Sequence, residues 1–264
     1  MLQMDKLTVA SASNQLVKQV SLSVNKGEWH AVAGPSGAGK SLTALSVYPD
    51  LLPSALSISS GAVLFQGEDL VRSPEKLRRH IVSRHIAYVF QDARSSFFPL
   101  LSIYKQWEDI LKVQRPGLKK KERREKMEEA LDVVLLPASV LKQYPSELSG
   151  GQVQRVALAV AWLTSPDLII ADEPTSALDV LTSAHIMELF QTLQKEKGCA
   201  ILMISHDLRE VLRFADMVSI MADGQIVEAG RPDSVLTAPK HEVTRRLCRS
   251  VPVLRSSIRR EGAQ

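Results

Sequence analysis

Near the start of the chain, apolar and polar positions alternate at 7–9 and again at 17–24 (VKQVSLSV), the period of half-buried strands, which predicts two antiparallel strands opening the fold. The pattern then changes to short, nearly uniform apolar runs at 29–33 (WHAVA), 86–90, 168–171, 200–204 and 217–222, as expected of strands covered on both faces. Helical spacing lies between them. Residues 40–47 predict a helix after the first of these runs, Ile186, Leu189, Phe190 and Leu193 share one helical face, and Val153, Val156, Ala157, Val160 and Ala161 share another. Asp207 and Glu210 stand at capping-box spacing, and Asp223-Gly224 between two apolar runs predicts a tight hairpin. From 92 to 162 the sequence is charged and helical with no strand pattern. The expected fold class is α/β: a mainly parallel sheet core with N-terminal antiparallel strands and an inserted α-helical subdomain. The expected parts are 1–91, 92–162, 163–236 and a tail at 237–264.

Composition narrows what this fold can do. A chain of 264 residues that is 45% hydrophobic can bury a sizeable core, but its longest apolar run, 156–163, falls far short of the roughly 20 residues of a membrane span. The first ten residues lack the basic flank and apolar block of a secretory signal, so a cytoplasmic protein is expected. Cys199 and Cys248 are isolated and read as ordinary thiols. His30, His80, His85, His185 and His241 show no ligand spacing, so no nickel site is expected on this chain. The net charge is +4, with a dense block at 119–126 (KKKERREK) and a basic tail of Arg245, Arg246, Arg249, Arg255, Arg259 and Arg260. Acidic residues interrupt the block and no aromatics accompany either stretch, so solvated surfaces are expected and not a nucleic-acid groove.

The chemistry concentrates in two places. Gly34, Pro35, Ser36, Gly37, Ala38, Gly39, Lys40 and Ser41 fit the phosphate-loop pattern G-x-x-x-x-G-K-[ST], in its required context after a strand and before a helix that continues through Leu42. Glycines there allow backbone N–H groups to cradle phosphates, Lys40 can reach the β and γ oxygens, and Ser41 can ligate Mg²⁺. Residues 168–173 (LIIADE) form an apolar strand ending in two carboxylates, Asp172 suited to the Mg²⁺ shell and Glu173 to polarising an attacking water.

Further elements occur in order. Leu148, Ser149, Gly150, Gly151 and Gln152 (LSGGQ) resemble the signature of ABC-type ATPases. Gln91 resembles the Q-loop glutamine, 176–179 (SALD) the D-loop and His206 the switch histidine. The chain thus resembles ABC transporter ATP-binding subunits from Gly34 to His206, which implies a P-loop NTPase (RecA-like) fold that uses ATP and Mg²⁺. The resemblance implies catalytic roles for Glu173, His206 and Gln91, and a Mg²⁺ site at Ser41, Gln91 and Asp172. It also implies nucleotide contacts from residues 34–42, and from Ser149, Gly150, Gly151, Gln152 and Asp179 across a head-to-tail pair.

Residues 90–99 (FQDARSSFFP), 144–149 (YPSELS), 171–180 (ADEPTSALDV) and 238–247 (APKHEVTRRL) look like the oligopeptide, dipeptide and nickel importer subfamily. The short tail is most similar to nickel-type subunits, which implies uptake of nickel or a metal chelate; the alternative is dipeptide or oligopeptide import. The implied partners are a second, related but non-identical ATPase, two transmembrane permeases and an extracytoplasmic solute-binding protein, with no nucleic acid. The implied place is the cytoplasmic face of a bacterial inner membrane. A soluble ABC ATPase acting on nucleic acid or ribosomes would instead show a long coiled coil or tandem cassettes. A non-catalytic cassette would lack one of Lys40, Gln91, Glu173 or His206. Two departures from the family pattern stand out: no aromatic residue occurs at 1–28 to stack on adenine near Ser11, and Phe98 replaces a polar residue facing the membrane subunits.

Overall fold

The alternating N-terminal segments are longer in the structure than their pattern suggests: β1 spans Leu2–Ala10 and β2 spans Gln15–Val24, antiparallel with Leu2 opposite Val24. Irregularities explain the shortfall. Lys6 and Gln19 adopt positive φ of 45° and 50° and the register shifts between Met4 and Leu7, so the period of two is broken inside each strand. The computed structural model describes residues 1–176 and 178–250. Next come β3 (Trp29–Ala33), α1 (Lys40–Leu45), β4 (Ser57–Phe65), β5 (Glu68–Asp69) and α2 (Glu75–His85). They are followed by β6 (Ile86–Val89), α3 (Ile103–Gln114), α4 (Lys120–Val133), α5 (Gly150–Thr164), β7 (Leu168–Asp172) and α6 (Val180–Lys197). The chain continues through β8 (Ala200–Ile204), α7 (Leu208–Phe214), β9 (Met217–Ala222), β10 (Gln225–Gly230), α8 (Pro232–Thr237) and α9 (Glu242–Ser250).

Contacts divide these elements into two units, residues 1–78 with 200 onward, and residues 79–199. In the first, an antiparallel sheet runs β2-β1-β4-β5, and a second sheet places β3 between β8 and β9, parallel to both, with β10 antiparallel at its edge. Trp29, fully buried, stacks on Phe214 at 5.6 Å between centroids, and its backbone N–H donates to Asp216 Oδ2 at 2.8 Å. The expected hairpin is present: Asp223 and Gly224 have φ of 48° and 80°, the sign a type I′ turn requires at both central residues.

In the second unit, β6 and β7 pair in parallel from Ile86–Leu168 to Val89–Ala171. Every described element between 92 and 162 is helical, with Trp107, Leu111, Met127, Leu131 and Val156 buried between α3, α4 and α5. The charged block lies on α4, where Lys121 and Arg124 pair with Glu125 and Glu128 one turn on, as on a solvated helix face. Burial pushes the Cys199 thiol up to about 12 and raises Cys248 as well, consistent with inert structural thiols. Among the described residues no helix is long and apolar enough to cross a membrane. Arg255, Arg259 and Arg260 lie outside them.

Candidate nucleotide site

In the first unit the buried strand β3 feeds the phosphate loop directly. A Cβ at Gly34 would lie 2.2 Å from the Met221 carbonyl oxygen, and one at Gly39, where φ is 97°, would lie 2.9 Å from the Leu16 carbonyl oxygen. Both positions therefore require glycine. The loop is braced from behind: Gly224 N–H donates to Ala38 O at 3.2 Å, and Lys18 N–H donates to Gly224 O at 2.7 Å. Lys40 folds over the loop, its Nζ donating to Gly34 O at 3.0 Å and Pro35 O at 2.9 Å. Pro35, Ser36, Gly37 and Ser41 are exposed, whereas Gly39 and Leu42 are half-buried and Ala38 is buried.

The pairing of Val32 with Ile204 brings the C-terminal ends of β3 and β8 to one edge, so His206, exposed just beyond β8, shares that edge with the loop. The expected direct capping box at α7 takes a different form. Asp207 accepts from Arg209 N–H at 2.8 Å, but Asp207 N–H donates to Ser205 Oγ, which donates in turn to Glu210 at 3.2 Å. Ser205, two positions before the motif, has inserted between the two acids.

The second unit holds the carboxylates. The Val89–Ala171 register aligns the ends of β6 and β7, so Gln91 and the pair Asp172 and Glu173 emerge together. Asp172 is 6% exposed. Glu173 has a left-handed backbone, φ 48°, a conformation that costs a non-glycine residue about 1–3 kcal/mol and clusters at functional sites. Its carbonyl accepts from Ser176 N–H at 3.2 Å and Ser176 Oγ at 3.0 Å, and its Oε2 accepts from Gln91 Nε2 at 3.0 Å. With its nitrogen turned to Glu173, Gln91 keeps an amide oxygen that, like the Asp172 carboxylate of the same unit, is the kind of donor a hard divalent cation takes.

Ser149 is the N-cap of α5: its Oγ accepts from Gln152 N–H at 3.3 Å, and Gln152 Oε1 accepts from Ser149 N–H at 2.9 Å. This reciprocal box occupies the Gln152 carboxamide oxygen in shaping the helix start. Among the described residues, a Cβ at Gly150 would meet nothing within 4 Å. Asp179 caps α6, accepting from Thr182 N–H at 3.0 Å and Thr182 Oγ1 at 2.7 Å, and these bonds hold its carboxyl below the usual range. Ala177, within the D-loop-like stretch, lies outside the described residues.

Two residues that the motifs did not single out brace the backbone beside motif residues. Gln154, 1% exposed on α5, donates to Pro174 O at 3.0 Å, immediately after Glu173. Its signal in the sequence is a polar residue inside the apolar stripe of Ala157, Leu158 and Ala161. Arg94 reaches the carbonyls of Pro145 and Leu148, and no local pattern announces it.

Three of the histidines have separate partners: His30 lies between Ser219 at 2.9 Å and Glu28 at 3.3 Å, His85 against Asp167 at 2.7 Å and His185 against Val133 O at 2.9 Å.

The sequence profile of the family described as ABC transporter matches residues 17–176. The chain is 37% identical over 249 residues to the dipeptide transport ATP-binding protein DppD of Bacillus subtilis, an alignment covering 94% of this chain and 74% of DppD. It is 38% identical over 258 residues to DppD of Escherichia coli, covering 96% and 78%. With the peptidoglycan transport ATP-binding protein YejF of Agrobacterium fabrum it shares 41% identity over 242 residues, 91% of this chain but 44% of YejF, so it spans less than half of that relative. The dimeric cassette MJ0796, solved in a post-hydrolysis state with ADP and Pi, superposes with a TM-score of 0.79 at 29% identity, covering 88% of this chain and 99% of that one. Phosphate loop, signature, paired carboxylates and global likeness agree: the chain belongs to the ABC transporter family, as an ATP-binding cassette that couples ATP hydrolysis to transport.

Proposed function

We propose that the chain is the motor of a peptide importer and hydrolyses ATP as one half of a pair of cassettes. The observation that carries the hydrolytic reading is the 3.0 Å bond from Gln91 to the carboxylate of Glu173, whose left-handed backbone directly follows Asp172. Backbone N–H groups of the phosphate loop cradle the phosphates, and Lys40 exchanges the carbonyls of Gly34 and Pro35 for phosphate oxygens. Ser41, Asp172 and Gln91 would hold Mg²⁺, which neutralises charge on the β and γ phosphates. Glu173 polarises the water and His206 contacts the γ-phosphate.

Ser149, Gly150 and Gly151 meet that phosphate from the second cassette. The empty space beside Gly150 supports this, since nothing among the described residues demands a glycine there. Val180 and Leu181, 84% and 83% exposed beside Asp179, offer apolar area to the same neighbour, in our reading a related but non-identical chain.

The cargo reading changes from the one the tail suggested. Relatives whose names specify dipeptide, oligopeptide and peptidoglycan transport favour peptides over nickel or a metal chelate. The tail is a poor guide because it need never touch the cargo. Permease subunits would dock on the surface that exposes Phe98 (71%) and Leu100 (87%), beside a groove of about 380 Å³ lined in part by Leu101, Ile110 and Val113. On this reading the chain works at the cytoplasmic face of an inner membrane, with an extracytoplasmic solute-binding protein completing the system. The pairing of α4 cations within their own helix argues against a nucleic-acid partner.

In the transporter reconstituted with its own permeases and binding protein, peptide is expected to stimulate ATP turnover and nickel salts or chelates are not. Stimulation by nickel alone would overturn the cargo reading. The same assay tests base recognition. A missing aromatic forgoes about 1–3 kcal/mol of stacking, so GTP should be turned over within about fivefold of ATP, and a preference beyond about a hundredfold would mean that another group reads the base.

A further inference from the structure

The segment after Gln91 is a pinned turn. Asp92 accepts from Arg94 N–H at 3.1 Å, Ser95 Oγ donates to Asp92 O at 2.6 Å, and Ala93 between them is buried. From this turn the Arg94 guanidinium crosses to residues 51 and 54 positions further along the chain, Nη1 donating to Pro145 O at 3.1 Å and Nη2 to Leu148 O at 2.8 Å. Leu148 immediately precedes Ser149, the cap of α5. The far end of the same segment is fixed to α3: Phe98 N–H donates to Gln106 Oε1 at 2.9 Å, and Gln106 Nε2 donates back to Phe98 O at 3.1 Å.

A planar guanidinium can hold two carbonyls in fixed relation, whereas a lysine offers a single flexible point of attachment. One fork therefore joins the stretch bearing Gln91 at one end and the exposed Phe98 at the other to the lead-in of the signature helix.

We infer that Arg94 is a positioning residue: it sets the place of Ser149 according to the place of the 91–98 segment, so that a load on the Phe98 surface reaches the γ-phosphate contact. The inference rests on the reading above, in which Ser149 meets a nucleotide held by a second cassette.

The first test needs neither partner nor nucleotide. In the full chain, Arg94→Ala is expected to raise amide hydrogen exchange across 145–153 by about tenfold and to leave 34–47 within about twofold of the unaltered protein, with Arg94→Lys in between. Unchanged exchange at 145–153, or a rise spread across the whole second unit, would overturn the inference; the latter would make Arg94 a general staple.

The second test uses Glu173→Gln as background. ATP-dependent pairing, read by size-exclusion light scattering, is expected to weaken about tenfold with Arg94→Ala and to recover in part with Arg94→Lys, while the affinity of the single chain for ATP stays the same. Pairing as tight as the background's, or an equal loss of single-chain ATP affinity, would also overturn it. Ser149→Arg serves as the control and should abolish pairing. If it does not, or if the background itself fails to pair, the two-cassette reading falls while the exchange result still decides the role of Arg94.

Discussion

Glu173→Gln is expected to lower ATP turnover by about 10²–10⁴-fold, the usual contribution of a positioned general base, with nucleotide affinity nearly unchanged. The substitution preserves shape: the left-handed backbone at φ 48° remains, and the Gln91 amide can still donate to an oxygen at the same place. Only the basicity that polarises the water is removed. ATP should therefore persist between the cassettes, and a dimer that is transient in the unaltered protein should accumulate on a sizing column when ATP is supplied. Turnover near the normal rate would remove Glu173 from this role and return attention to His206.

Lys40→Ala should act at the earlier step. Each charge-assisted bond from the ammonium to a phosphate oxygen is worth about 1.5–3 kcal/mol, so losing two should raise the dissociation constant for ATP by at least about a hundredfold by calorimetry. The nucleotide-free chain should respond too, because Nζ now bridges Gly34 O and Pro35 O across the loop. Amide exchange at 34–39 should quicken while the hairpin at Asp223 and Gly224 holds. An ATP affinity within about threefold of normal would mean that the loop binds phosphate without its lysine.

The parts of this molecule that the sequence made legible are those whose information is local. Uniform apolar runs placed β3, β8 and β9 at their observed limits because strands covered on both faces need no alternation. Where geometry is irregular the pattern failed. β4 went unread because Gly61, at φ 91° with its Cβ position 2.5 Å from Lys6 O, breaks the strand signal in its middle.

Motif residues were found because phosphate chemistry fixes their spacing. The residues that support them were not, since Gln154 to Pro174 and Arg94 to Leu148 are bonds between positions 20 and 54 apart. No rule of periodicity connects such pairs. Cargo was least legible of all: a motor that never touches its freight carries little trace of it, and the resemblance of a short tail pointed to nickel where the relatives point to peptides.

Gly150 leaves an asymmetry in how this chain experiences change. A glycine in the first turn of α5 makes the helix less stable than alanine would by about 0.5–1 kcal/mol, and the vacant volume beside it could admit a methyl group without strain. Judged on its own, the monomer would improve under that substitution. On the two-cassette reading proposed above, any harm would be felt one molecule away, at the nucleotide of the related partner chain, so selection on this position would act through that partner's catalysis, and a screen for thermal robustness alone would choose against the working protein.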